Sequence, residues 1–238
     1  MEKTKSGKIK KNHISFFRIR NIILSSIVWV ISKNNFFAWR VIIIGECLDW
    51  IKFVKKLSAS ATFFWSRETL WEKMREITSK TGSWTVLEFG VAWGYTTNNW
   101  LPNSRDSIIK WHGFDRFTGL PRAWRNLSQG SFDAKGKPPK INDSRLVWHV
   151  GDVENLLPKL EIPSGPKVII FDLDIFEPTY FAWNYLKDGL DKGDLLYFDE
   201  VFDQDERRIL EDEVLNTFSV EVIGYTVHGI AVRILERL

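Results

Sequence analysis

Four carboxylates end two short apolar runs, Val168-Ile-Ile-Phe-Asp-Leu-Asp174 and Leu195-Leu-Tyr-Phe-Asp-Glu200. An apolar run without alternation reads as a strand buried on both faces of a parallel sheet. Between the runs, Pro178 to Leu190 reads as a crossover helix, with Pro in its first turn and Gly189 near its end. A βαβ unit of this kind makes the two strands parallel neighbours, roughly 4.8 Å apart. Asp172, Asp174, Asp199 and Glu200 then crowd one edge of the sheet, at the strand ends where open α/β sheets take their ligands. Packed carboxylates repel unless something positive joins them. The expected counter-ion is a divalent metal. An ion such as Mg²⁺ lowers the pKa of a bound hydroxyl while keeping coordination positions open.

A second group of residues belongs to nucleotide chemistry. Glu88-Phe-Gly-Val-Ala-Trp-Gly94 follows a strand at 85–89 and enters a helix near Tyr95. Gly90 and Gly94 let the backbone turn tightly and approach a ligand. Asp115 ends the next strand, where a carboxylate can accept both hydroxyls of a ribose. Asp152 ends the third, a position suited to an exocyclic amine. His112, His149 and His228 show no metal-ligand spacing and read as structural.

The elements that position these residues alternate along the chain. Trp65 to Lys80 has helical spacing, with Leu70, Met74 and Ile77 on one side. Strands follow at 85–89, 108–115 and 146–152, then at the two carboxylate-ended runs. Asp203 and Glu206 have capping-box spacing for the next helix. Phe218 to Tyr225 and Ile230 to Leu235 form a closing hairpin across Val227-His-Gly229. Such a chain is α/β, Rossmann-like, with a seven-stranded, mostly parallel sheet ending in an antiparallel hairpin. Arg122 to Asn142 reads as a long loop on the ligand side. With no nucleophile elbow, a hydrolase is not expected.

Composition separates the chain into two parts. Residues 1–56 hold 12 Lys/Arg against 3 Asp/Glu, whereas the rest holds 21 against 27. The first part is a basic, aromatic-rich extension, Lys-rich and polar over residues 1–13 and helical from about residue 14. Residues 57–238 form the catalytic domain. The apolar runs of the extension, 22–31 and 36–44, are too short to span a bilayer. They are read as two helices packing on the domain or on another subunit, a second copy included; an interfacial membrane helix is the alternative. A single cysteine, Cys47, excludes an internal disulfide and fits a reducing, cytoplasmic setting. Of the 12 tryptophans, most are assigned to packing and the remainder to ligand surfaces.

The order Glu88-x-Gly90-x-x-x-Gly94, Gly113-Phe-Asp-x-Phe-x-Gly-Leu-Pro121, Phe171-Asp-x-Asp174 with Glu177-Pro-Thr179, then Phe198-Asp-Glu200 resembles the macrocin O-methyltransferase family. Those proteins are class I S-adenosylmethionine-dependent enzymes, several of them metal-assisted sugar O-methyltransferases. The resemblance covers roughly residues 60 to 238. It implies that Glu88, Gly90 and Gly94 border the methionine part of the cofactor, that Asp115 holds the ribose and that Asp152 lies near the adenine. It makes Asp172, Asp199 and Glu200 the metal carboxylates, with Asp172 also taking the substrate proton. Two positions depart from the pattern. Ile175-Phe176 stands where Leu-Tyr is usual, which removes a phenol, and Glu200 reaches further than an aspartate.

The expectation is therefore transfer of a methyl group from S-adenosylmethionine to a hydroxyl of a sugar or glycan-like small molecule, with Trp93, Trp124 and the 122–142 loop as acceptor walls. A phenolic acceptor, or a methyltransferase fold kept only as a binding scaffold, are the competing readings. A nucleic-acid substrate would rest on the basic arm alone, and the acidic balance of residues 57–238 opposes it.

Overall fold

The computed structural model describes residues 24–31, 33, 35–202 and 204–238. The Lys-rich residues 1–13 and the expected cap at Asp203 lie outside them. The chain divides between Leu48 and Asp49 into two units. In the first, residues 24–31 are helical. Helix α1 (Asn35–Leu57) runs past the division. Its second-unit residues Trp50 and Val54 are fully buried there, and the Trp50 indole N–H donates to the Thr226 carbonyl at 3.1 Å.

The larger unit is built on a seven-stranded sheet. Its strands are β1 (Trp84–Phe89), β2 (Ile108–Asp115), β3 (Leu146–Val150), β4 (Lys167–Phe171), β5 (Leu195–Phe198), β6 (Phe218–Tyr225) and β7 (Ile230–Arg237). The spatial order is β3-β2-β1-β4-β5-β7-β6. The first five strands are parallel, and β7 enters antiparallel between β5 and β6. The expected α/β architecture, including its closing hairpin, is present. The reversal of strand order at β1/β4 marks the crevice where such sheets bind ligands.

Burial explains the strand pattern. All six residues of β1 and all five of β4 are buried, as expected of central strands covered on both faces. The helices are α2 (Arg67–Thr81), α3 (Tyr95–Trp100), the one-turn α4 (Val153–Leu156), α5 (Phe176–Leu186), α6 (Gln204–Arg208) and, beyond a π-helical turn at Ile209–Val214, α7 (Leu215–Thr217). Helix α2 starts where the Ser66 hydroxyl accepts the Thr69 N–H, and it buries Leu70, Trp71, Met74 and Thr78. It packs in a core with Trp84, Trp100, Trp111 and Tyr197. Trp183 on α5 is also fully buried, whereas Trp148 on β3 is only half-buried.

Candidate active site

A cavity of about 880 Å³ opens at the C-terminal strand ends, with Gly90, Asp115, Asp152, Asp172, Asp199 and Glu200 on its wall. These six expected residues are thus brought together. Glu88 and Gly94 are not on the wall.

Gly90 closes the narrowest point. The Asp172 N–H donates to the Phe89 carbonyl at 2.8 Å, drawing the ends of β1 and β4 together. A Cβ on Gly90 would stand 1.7 Å from the Asp172 carbonyl oxygen, and the residue has φ +88°. Only glycine fits there. Gly94, at φ +77°, would place a Cβ 2.8 Å from Pro139 Cγ, so its role is to let the long loop return over the turn. Glu88 shares the strand face of Trp84 and Val86, which points into the core. It is fully buried, accepting from the Thr97 hydroxyl and from the Trp111 indole at 2.8 Å. Burial raises its carboxyl to about 7, against the pull of those two donors. Glu88 therefore clasps α3 and β2 to β1 from beneath the turn.

Asp115 holds the turn from above. Its carboxylate accepts the N–H groups of Val91 at 2.8 Å, Ala92 at 2.7 Å and Phe117 at 2.5 Å. Ala92 adopts φ +47° under this constraint. Asp152 lies further along the wall and pairs with Arg116 at 2.9 Å. The long loop is ordered over this end: Leu120 and Trp124 pack on Ile175, and Arg122 bridges to Glu177 at 2.9 Å.

The carboxylates form the other end. Asp172 is half-buried on the cavity wall, and its pKa is raised well above the usual range by desolvation and then by Asp199, Asp174 and Glu206. Glu200 sits at φ +46° and Asp174 at φ +64°, conformations that cost a β-carbon-bearing residue about 1–3 kcal/mol each. Burial, with Asp199 and Asp174 nearby, pushes Glu200 up to about 8.

The positive charge in this cluster comes from Arg67. Its Nη1 donates to Asp199 Oδ2 at 2.7 Å, while the Tyr197 hydroxyl donates to Oδ1 at 2.7 Å. Burial alone would lower the Arg67 pKa, but Asp199 and Asp172 outweigh it and the net shift is upward. The guanidinium also lies over the rings of Trp71 and Tyr95, at 5.5 and 5.1 Å from their centroids. The expected divalent ion on Asp172, Asp199 and Glu200 is not supported by this arrangement. Both Asp199 oxygens are engaged, and among the described residues no three His, Cys, Asp or Glu side chains are grouped to hold a metal. The donor set does not fit one, because α2 delivers a cation of its own to the same carboxylates.

Glu206 has a role that the sequence reading did not foresee. Its carboxylate accepts the Leu173 and Asp174 N–H groups at 2.8 and 3.1 Å. It shapes the turn that aims Asp172. Nothing local marks Arg67 or Glu206, because each meets its partners only through the fold. His228, expected to be structural, comes within 3.9 Å of Glu200 and edges against Phe202. His112 and His149 pair on β2 and β3 at 2.9 Å, outside the cavity wall.

No protein-family model matches the chain, and no curated protein sequence does. Among solved structures it is similar to the calicheamicin methyltransferase CalS11, at 20% identity over 70% of this chain and 78% of that one, with a TM-score of 0.56. CalS11 is of the macrocin O-methyltransferase-like type that the motifs resemble. An apo structure of CalS11, a TDP-rhamnose 3'-O-methyltransferase, gives 18% identity over 70% and 78% with a TM-score of 0.49. The O-methyltransferase NovP gives 13% over 69% and 80% with 0.48. The first of these likenesses shows that the fold is that of the class I methyltransferases.

Proposed function

We propose that the chain is an S-adenosylmethionine-dependent O-methyltransferase acting on a hydroxyl of a sugar or glycan-like acceptor. The observation that carries this reading is Asp172. It is a half-buried carboxylate with a raised pKa, on the wall of a cavity that also runs along the Gly90 turn and the Asp115 and Asp152 strand ends. The lining suits the cofactor: Val91, Val153 and Leu173 offer apolar contact, Asp115 keeps one acceptor position on Oδ1 for a hydroxyl, and Asp152 offers an acceptor for an amine.

When bound, S-adenosylmethionine supplies an electrophilic methyl group. The protein's own task is to prepare the oxygen that receives it. The acceptor's O–H proton would pass to a carboxylate oxygen of Asp172 while the acceptor oxygen takes the methyl group and the neutral thioether, S-adenosylhomocysteine, is left behind. A hydroxyl is almost entirely protonated near neutral pH, and a base with an upward-shifted pKa is better matched to removing its proton. Arg67 offsets the charge that Asp172 and Asp199 would otherwise place side by side, so the anionic base is tolerated within the cluster. Glu206 fixes the turn carrying Asp172, and Gly90 brings that turn against the end of β1. Trp93, 60% exposed on the wall, supplies a flat surface for a sugar ring. No step is assigned to a metal.

The test is calorimetric titration with S-adenosylhomocysteine, beside an Asp115→Ala variant. Micromolar binding that is lost in the variant supports the cofactor site. Absence of binding to the unaltered protein would overturn the reading in favour of a scaffold.

A further inference from the structure

Most of the apolar side chains described in the first unit are exposed to water. On helical residues 24–31, Leu24, Ile27, Val28, Trp29 and Val30 are 49–63% exposed. On α1, Val41, Ile44 and Leu48 recur at spacings of three and four on one side, beside Ile42, and all four are 46–59% exposed. The second unit places most of its large apolar residues in a packed core instead. Aliphatic surface concentrated like this marks an interaction site rather than ordinary scatter.

We propose that this unit is an interfacial anchor that lies on an anionic lipid bilayer. Charge selects the partner. Residues 1–48 carry nine Lys/Arg, at positions 3, 5, 8, 10, 11, 18, 20, 33 and 40, against Glu2 and Glu46. A bilayer containing acidic headgroups offers negative charge above and hydrocarbon below, which is the combination these residues match. A second copy would match the apolar side chains but would set a net +7 against another +7. Nucleic acid would match the charge but has no use for Ile, Val and Leu. Lys33 extends its ammonium over the Trp29 ring at 4.4 Å from the centroid, an amphipathic pair of the kind found at membrane interfaces. The anchor lies on the bilayer rather than crossing it, since no helix among the described residues is long and apolar enough to span.

The test is co-sedimentation of the full chain with vesicles of phosphatidylcholine alone and of phosphatidylcholine mixed with phosphatidylglycerol. The expected result is at least about tenfold tighter binding to the mixed vesicles, weakened by salt as surface attraction is screened. A Val28→Glu/Ile42→Glu variant should lose binding to both vesicle types without a change in melting temperature. A Lys8→Gln/Lys10→Gln/Lys11→Gln variant should lose only the preference for the anionic ones. Equal retention of the unaltered protein in the supernatant with both vesicle types would overturn the proposal. So would a dimer by analytical ultracentrifugation that dissociates in the Val28→Glu/Ile42→Glu variant, which would assign the apolar surface to a second copy. The readout is lipid binding, so it stands or falls apart from the methyl-transfer reading.

Discussion

Arg67 Nη1 and Asp199 Oδ2 lie 2.7 Å apart across 132 residues of chain, joining the first turn of α2 to the end of β5. The pair is unequal in exposure: the Asp199 side chain is 2% exposed and that of Arg67 38%. Removing the arginine leaves a buried carboxylate beside Asp172 with only the Tyr197 hydroxyl to answer it. Arg67→Ala is expected to lower methyl-transfer turnover at least about tenfold. The stability loss is about 1–2 kcal/mol, reduced from the fully buried case because water reaches the guanidinium. The same variant should bind Mg²⁺ where the unaltered protein does not, as the carboxylates seek another cation. Turnover assays and melting curves with and without Mg²⁺ check both halves. A melting temperature of the unaltered protein that rises with Mg²⁺ would contradict the account.

Asp172→Asn keeps the shape of the cavity floor and removes the proton acceptor. Loss of a general base costs typically about 10²–10⁴ in rate. The expected outcome is a fall in kcat of that order with S-adenosylhomocysteine affinity unchanged. Equal losses in affinity and rate would make Asp172 a binding residue instead.

Stability should fall as the pH rises through the neutral range. Glu88 and Glu200 have folded-state values of about 7 and about 8, above the ordinary 4.5. Between the ordinary and the raised values the folded protein holds more protons than the unfolded chain, so each step up in pH favours unfolding. The penalty from Glu88 builds up between about pH 4.5 and 7 and reaches on the order of 3 kcal/mol, at 1.4 kcal/mol per unit. Melting temperature is predicted to decline from pH 5 to 8 and to decline less steeply in Glu88→Gln, which keeps the buried side chain neutral. An identical slope in the variant would remove Glu88 from the explanation.

Gly90→Ala places a methyl group 1.7 Å from the Asp172 carbonyl oxygen in a left-handed backbone conformation. Either the β1–β4 junction parts or the chain does not fold. A loss of at least about 3 kcal/mol is expected, above the range of ordinary overpacking because backbone must move. Chemical denaturation would measure it. Gly130→Ala serves as the comparison, since its Cβ meets nothing within 4 Å although its φ of +82° still carries a conformational cost.

The order of elements and the edge where the site lies were legible in the residues themselves. Apolar runs such as Val168–Phe171 can only be buried strands, and the crossover between β4 and β5 forces those strands to be parallel neighbours. Asp172, Asp174, Asp199 and Glu200 therefore had to meet. Gly90 likewise announces a tight turn, because few other residues could occupy it.

What answers those carboxylates was decided by the tertiary structure. A cluster of like charges calls for a cation, and sequence supplies no means of choosing between an ion from solution and a side chain 132 positions away. The fold brings such a side chain by capping α2 at Ser66 and laying its first turn over β5, which delivers Arg67 to Asp199. It also brings Glu206 to the β4–α5 turn, and it sinks Glu88 below the cavity because strand alternation points that side chain into the core. Local pattern determines which groups gather, whereas long-range packing determines which of their hydrogen bonds and charges are already satisfied when a ligand arrives.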